Sequence, residues 1–492
     1  MNMPPEMQAL IDREKDKARK NKIKNRPIVF SIYVMVLVFL CMFGYIIYYM
    51  SNKAERTVAN ASNKRQDSFA DFVKRGDIIT SDGTVVATTE VDDNGNEKRV
   101  YPYNGLFSHV VGYNEYGRAG VELSANFTLL RSHVGLDEQL KNDLAEEKNP
   151  GDNVILNLDY NLQNTAAEAL GNARGAVVVL DASTSDVLAM YSSPTFNPNE
   201  MATVWETAHT EEGQESALLL NRATQGLYAP GSTFKVITAM EYIREHPDYE
   251  NYSHVCNGTD IYNSVSIRCS NSTAHGTVDL KTSLAKSCNT SFADIGVNSL
   301  DIDSLADFSE KLLYNKDIPF EGDTSKPVFK LNGSSDKSYI PQTVIGQGDT
   351  LTTPLHNALI MQAVANGGSM MEPSLIDRVE SADGSVVKKY KPKAYGQVID
   401  PEITRDIIPM LEEVCNSGTA SSIMAGKPYT VAGKTGTAEY DNNGNCNSWF
   451  VGFSSKDKPD IVVSVVVEDY TSNQISGTSV ASRIMDTYYA GQ

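Results

Sequence analysis

The sequence predicts an α+β fold in which an antiparallel sheet is flanked by helices, set behind a small β-rich region and one membrane-spanning helix. Three observations predict it. Strand-like apolar runs cluster at both ends of the C-terminal part of the chain, with helix-like patterns between them. The region before them breaks into short β-like segments separated by glycine turns. Near the N-terminus, 23 consecutive residues, Ile28 to Met50, carry no charge.

The bulk composition narrows the function classes. At 492 residues, 41% hydrophobic and 21% charged, the chain is globular in character and long enough for one small and one large domain. Its net charge of −19 is uneven: residues 1–26 hold eight Lys/Arg against four Asp/Glu, a local +4, and everything after them sums to −23. An acidic body repels phosphate, which argues against a nucleic-acid partner. The seven histidines are scattered and form no HExxH spacing, so chemistry without a metal or cofactor is expected.

Taken in order, residues 1–26 read as a basic cytoplasmic tail and residues 27–50 as a membrane anchor. A helix of about 20 residues crosses the hydrocarbon layer of ~30 Å. The basic flank, Arg13 to Arg26, keeps that end inside, and Tyr45, Tyr48 and Tyr49 suit the far interface. Ala59-Asn60-Ala61 resembles a signal-peptide cleavage site, but the apolar run is too long and the site too distant. The expectation is a single-pass protein with its bulk outside. There, Cys256 and Cys269 fit either a disulfide or free thiols.

Residues 51–150 read as a polar helical stalk to about 74, then a pedestal opening at Arg75-Gly76-Asp77. The C-terminal domain spans 151–492. Gly175–Asp181 and Asp186–Tyr191 predict a hairpin, and Tyr429–Glu439, Trp449–Phe453 and Ile461–Glu468 three further adjacent antiparallel strands. Thr353 as N-cap, Pro354 at the first helical position and Gly367-Gly368 as the stop bracket a helix between the two strand groups.

Three short motifs carry chemistry. Ser232-Thr233-Phe234-Lys235 follows the turn Ala229-Pro230-Gly231 and opens a strongly apolar helix, so Lys235 lies one turn above Ser232. A lysine buried there loses its proton readily, and a serine needs such a base to become a nucleophile. Four other SxxK pairs (Ser283/Lys286, Ser334/Lys337, Ser385/Lys388 and Ser455/Lys458) lack that context and read as surface residues. Ser287-Cys288-Asn289 pairs a hydroxyl that can relay a proton with an amide that can hold a carbonyl; Ser124-Ala125-Asn126 has the same pattern by chance. Lys434-Thr435-Gly436-Thr437 occurs once, in an apparent strand that an extended peptide could join, with charge and hydroxyls for a carboxylate.

The ordered set resembles the class B penicillin-binding proteins, whose marks include an SxxK, a second serine motif and a KTG. The resemblance runs from about residue 75 to the end. It includes Arg118 to Glu122 in the pedestal, and Ser193 to Asn199, Gly346-Gln347-Gly348, Thr353-Pro354-Leu355 and Trp449 to Phe453 in the main domain. It implies a penicillin-binding-protein/serine β-lactamase-like fold and a D,D-transpeptidase that cross-links peptidoglycan stem peptides ending in D-Ala-D-Ala. Ser232 would attack the penultimate D-alanine, with Lys235 as proton acceptor, and Ser287, with Asn289, would return a proton to the leaving D-alanine. Lys434, Thr435 and Thr437 would bind the terminal carboxylate, Gly436 would let the backbones approach, and the N–H groups of Ser232 and Thr437 would form the oxyanion hole. β-Lactams would be covalent inhibitors, and a SEDS-family glycan polymerase the membrane partner. The rival readings are a D,D-carboxypeptidase, a β-lactamase, a β-lactam sensor, and a non-catalytic scaffold for the polymerase. Intact motifs and the short cytoplasmic tail weigh against the last two.

Overall fold

A computed structural model describes residues 3–52, 64–440, 444–455 and 458–491. Ala59-Asn60-Ala61 and residues 53–63 of the predicted stalk lie outside those residues; the rest of the stalk ends in a 3-10 helix (Lys64–Asp71) and a two-residue strand (Val73–Lys74). The chain divides after Gln66 into two units.

The first unit is a helix, α1 (Pro5–Asn52), that runs through the basic tail and the apolar stretch without interruption, Pro27 included. Its most apolar window has a mean hydropathy of 2.5 and buries nothing against protein. Such a surface is tolerable in lipid and not in water. Among the described residues it is the one helix long and apolar enough to cross a membrane.

The second unit is organised by two sheets. The larger in area has five antiparallel strands: β1 (Gly175–Asp181), β2 (Val187–Ser193), β3 (Thr430–Glu439), β4 (Cys446–Ser455) and β5 (Pro459–Val467), in the spatial order β3-β4-β5-β1-β2. The predicted hairpin and the three C-terminal strands are therefore parts of one sheet, joined where Val463 of β5 faces Val179 of β1. β5 and β1 are buried along nearly their whole length, because helices cover both faces of the sheet. This explains their unbroken Val/Ile composition where a half-solvated strand would alternate.

The helices that matter for the site follow in chain order: α2 (Tyr160–Leu170), α3 (Lys235–Glu245), α4 (Asn289–Asn298), α5 (Pro354–Ala365), α6 (Pro401–Asn416) and α7 (Gly477–Ala490). α7 and α2 pack together, and α7 lies against β4 and β5, while α5 packs against β5, β4 and β1. α5 starts as predicted: Thr353 Oγ1 accepts from the His356 N–H at 3.1 Å, and Pro354 occupies the first turn, where no N–H is needed.

The second sheet has six strands, in the order 386–389, 376–380, 153–156, 78–79, 85–91, 97–100. It takes strands from both sides of residue 150. Its strands bury Ile78, Val86, Val154 and Leu156, and Arg99 of its last strand enters a buried ion cluster in which Glu122 accepts from Arg75 and from Arg99 Nε at 2.7 Å, while Asn126 Oδ1 accepts from Arg75 Nη1. Arg75 and Glu122 of the pedestal motifs thus belong to one buried network with Arg99, and Asn126 of Ser124-Ala125-Asn126 serves structure in it.

Candidate active site

Ser232 sits in the 3-10 turn Gly231–Thr233 that runs into α3, with its side chain half-buried. The turn is clamped on several sides. The Gly231 N–H donates to the Gly346 carbonyl at 2.9 Å, and Tyr228 and Thr352 exchange backbone hydrogen bonds at 2.9 and 2.8 Å. Thr233 Oγ1 donates to the Pro230 carbonyl at 2.8 Å and accepts from Asn357 Nδ2 of α5 at 3.2 Å. Trp449 Nε1 of β4 donates to the Ala229 carbonyl at 3.1 Å. Gly346 has a φ of +82°, and a Cβ there would lie 1.9 Å from the Gly231 carbonyl oxygen. Only glycine lets the Gly346-Gln347-Gly348 segment close on the turn.

Lys235 is fully buried at the start of α3. Its Nζ donates to the Ser287 carbonyl at 2.8 Å, to Ser287 Oγ at 3.2 Å and to Asn289 Oδ1 at 2.5 Å. Those three acceptors use all three N–H groups of an ammonium, and Ser232 is not among them. Burial pulls the Lys235 pKa down to about 7.

Ser287 lies between the short helix Leu280–Ala285 and α4, in the left-handed region with a φ of +55°. A non-glycine residue there is costly, by of order 1–3 kcal/mol, and persists where surroundings fix it. The Ser287 Oγ meets a second lysine: Lys434 Nζ of β3 donates to it at 3.0 Å and to the Thr435 carbonyl at 2.9 Å. Lys434 is also fully buried, and burial followed by repulsion from Lys235 holds its pKa well below the ordinary lysine value. One hydroxyl is thus shared by two buried amines. Such a hydroxyl can accept a proton from one side and pass its own to whichever neighbour is neutral.

β3 is an edge strand, with one side free for pairing. On it Thr435 is half-buried, with its Oγ1 2.6 Å from Thr419 Oγ1, and Thr437 is exposed. Gly436 is buried, and a Cβ on it would stand 2.9 Å from Trp449 Cβ and 3.0 Å from Thr233 Cγ2. A side chain here would push the strand off the Ser232 turn.

All eight residues singled out from the sequence belong to these elements, although Lys434 sits differently from the expectation. Its Nζ donates to Ser287 Oγ and the side chain is fully buried. The other serine–lysine pairs do not assemble: Ser334, Lys337, Ser385 and Lys388 are exposed, and Ser283 is buried against Ser291 Oγ at 2.7 Å. Sequence reasoning missed two supports. Thr419 follows α6, and the Arg268 carbonyl accepts from Asn289 Nδ2 at 2.6 Å. A backbone carbonyl acceptor carries no residue signature, so nothing in the sequence points to it. A further group, Cys256, Cys269, His275 and Cys288, gathers beside the second motif, and its cysteines are free. Three cysteines and a histidine within 33 residues were the available signal.

Residues 175–486 match the penicillin binding protein transpeptidase domain, and residues 75–154 the penicillin binding protein A dimerisation domain. The chain is 28% identical over 426 residues to the peptidoglycan D,D-transpeptidase PbpA of Mycolicibacterium smegmatis, covering 80% of this chain and 84% of that protein. Among solved structures, it matches the D,D-transpeptidase domain of a peptidoglycan glycosyltransferase from Eggerthella lenta with a TM-score of 0.75 and 31% identity, over 85% of this chain and 98% of the other. The imipenem acyl-enzyme of penicillin-binding protein A from M. tuberculosis shares the fold, with a TM-score of 0.76 at 23% identity over 85% of this chain and 99% of the other.

Proposed function

Because the chain belongs to the penicillin-binding-protein transpeptidase family, we propose that it cross-links peptidoglycan through an ester on Ser232. The observation that carries this reading is the convergence of two buried lysines on Ser287, next to a clamped serine turn. In the neutral form, Lys235 keeps two N–H groups for Asn289 Oδ1 and the Ser287 carbonyl and turns a lone pair outward. That lone pair takes the Ser232 proton as Oγ attacks the carbonyl of the penultimate D-alanine. The oxyanion is met by the backbone N–H groups of Ser232 and Thr437, an arrangement worth about 3–4 kcal/mol per donor. Ser287 delivers a proton to the departing D-alanine amine and is reprotonated from Lys235 or Lys434. The stem peptide adds to the free edge of β3, where Thr435 and Thr437 offer hydroxyls to its carboxylate. An amine from a second stem peptide then releases the acyl group. β-Lactams enter the same first step and remain as the ester.

The membrane helix and the pedestal are the surfaces this reading offers to a SEDS-family polymerase. The pedestal helix Leu136–Leu144 supports it by leaving Leu136, Leu140 and Leu144 between 61% and 83% exposed on successive turns.

The test is intact-protein mass spectrometry after incubation with benzylpenicillin, alongside Ser232→Ala. A single stable adduct that maps to Ser232 and disappears in the variant is expected. Consumed drug without an adduct indicates a β-lactamase, and intact drug without an adduct indicates a scaffold; either result ends the proposal.

A further inference from the structure

Between α3 and the second motif the chain makes a β excursion with little core of its own. It consists of two two-stranded ladders, 254–256 with 276–278 and 259–262 with 265–268. Two-stranded ladders are marginal in water without a staple. Val255 and Ile261 are 59% and 69% exposed, and the interior of the excursion is mainly Tyr262, Ile267 and sulfur.

The sulfurs are arranged. Cys256 Sγ lies 3.6 Å from Cys269 Sγ, Cys269 Sγ lies 3.8 Å from Cys288 Sγ, and His275 Nδ1 lies 3.4 Å from Cys256 Sγ. All four ligand atoms fall within 4.8 Å of one another, and the three cysteines are buried. A zinc ion with Zn–S of about 2.3 Å and Zn–N of about 2.0 Å has tetrahedron edges of about 3.8 Å for S···S and about 3.5 Å for S···N. The three edges at 3.6, 3.8 and 3.4 Å match that set, and the other three lie within 4.8 Å. The S···S edges are longer than an S–S bond of about 2.05 Å, and Cys256 and Cys269 are free thiols.

We propose that Cys256, Cys269, His275 and Cys288 bind one zinc ion that fastens the β excursion to the Ser287-Cys288-Asn289 turn. The ion is structural: four protein ligands close its coordination shell and leave no position for water or substrate. In the complex the cysteines coordinate as thiolates, any thiol protons passing to solvent, and His275 coordinates through the Nδ1 lone pair, giving a net charge of −1. Two links run from the ion to the active site. Cys288 is the residue between Ser287 and Asn289, and it is the N-cap of α4. Cys269 follows Arg268, whose carbonyl holds the Asn289 amide. The ion therefore fixes both the left-handed Ser287 and the amide that grips Lys235.

The full-length chain, purified in detergent without chelator under reducing conditions, is tested for bound metal by elemental mass spectrometry. One zinc per chain is expected, with Cys256, Cys269 and Cys288 protected from a thiol-modifying reagent until a chelator is added. Exchange with Co(II) should give the visible absorption of a tetrahedral thiolate site, a readout that needs no variant. Cys256→Ser and His275→Ala should each lower zinc affinity by about tenfold or more. Chelated protein should acylate at Ser232 more slowly with benzylpenicillin and recover when zinc alone is returned. Absence of stoichiometric metal after zinc addition, with all three thiols freely reactive or with Cys256 and Cys269 disulfide-linked on peptide mapping, overturns the proposal. The penicillin adduct on the metal-loaded protein is scored separately, so loss of the zinc idea and loss of the serine mechanism give different results.

Discussion

The fate of two lysine side chains decides how the site works. Both were visible in the motifs, and the apolar helix pointed to burial of Lys235; burial of Lys434 was not visible, because it depends on which elements close over it. Lys235 starts α3 beneath α4, and Lys434 sits on β3 facing the same hydroxyl. With its pKa drawn down to about 7, Lys235 is the ammonium below that pH and the free amine above it. Acylation by benzylpenicillin should therefore rise as pH climbs through about 7 and then level off, checked by the second-order acylation rate across pH. Lys235→Arg keeps a charge that cannot be lost, and should cut that rate by about 10²–10⁴-fold at every pH, the usual worth of a general base. A Lys235→Arg variant that acylates at the original rate with the same pH profile would remove Lys235 from the role of base.

At the scale of elements, the nucleophile turn is legible in the sequence and its clamp only partly so. The Ala229-Pro230-Gly231 turn and the helix after it are contiguous, and local chemistry specifies them. The clamp is drawn from Gly346, Thr352, Asn357 and Trp449, which come together only in the folded chain. Two glycines in one segment separate the effects. Gly346→Ala would drive a Cβ to 1.9 Å from the Gly231 carbonyl, whereas at Gly348 (φ +73°) the nearest atom to a Cβ is Thr343 Oγ1 at 3.8 Å. Gly348→Ala should cost only the left-handed backbone penalty, about 1–2 kcal/mol, with acylation retained. Gly346→Ala should cost more in thermal midpoint and lose acylation as well. Equal losses in the two variants would show that the Gly231–Gly346 contact does not hold the turn. The proposed zinc ligands left only their clustering as a signal, for a related reason: 12, 5 and 12 residues separate them, a spacing set by the β excursion and by no recurring motif.

For the whole molecule, the sequence indicated an apolar helix, a pedestal and a larger α+β body. It did not indicate that one six-stranded sheet would join pedestal segments to strands near residue 380. Those strands are short, and Val386–Lys389 is exposed throughout, so periodicity offers nothing to read. The exposed leucines of the pedestal helix make a prediction at this scale. Leu136→Glu with Leu140→Glu should leave the thermal midpoint and the penicillin adduct unchanged, since neither side chain is buried, and should abolish co-purification with a co-expressed SEDS polymerase. Unchanged co-purification would remove this face from the interface.

The mixed sheet also has a mechanical meaning. Strand 153–156, which pairs with pedestal strand 78–79, also pairs in antiparallel register with 376–380, where Val154 faces Val379. That second strand follows α5 in the chain, and Asn357 of α5 holds the threonine beside Ser232. A tug on the pedestal therefore meets no swivel before it reaches the nucleophile's surroundings; it must first break a ladder of backbone hydrogen bonds. The pedestal behaves as a bracket and not as a tether for the turn that carries Ser232.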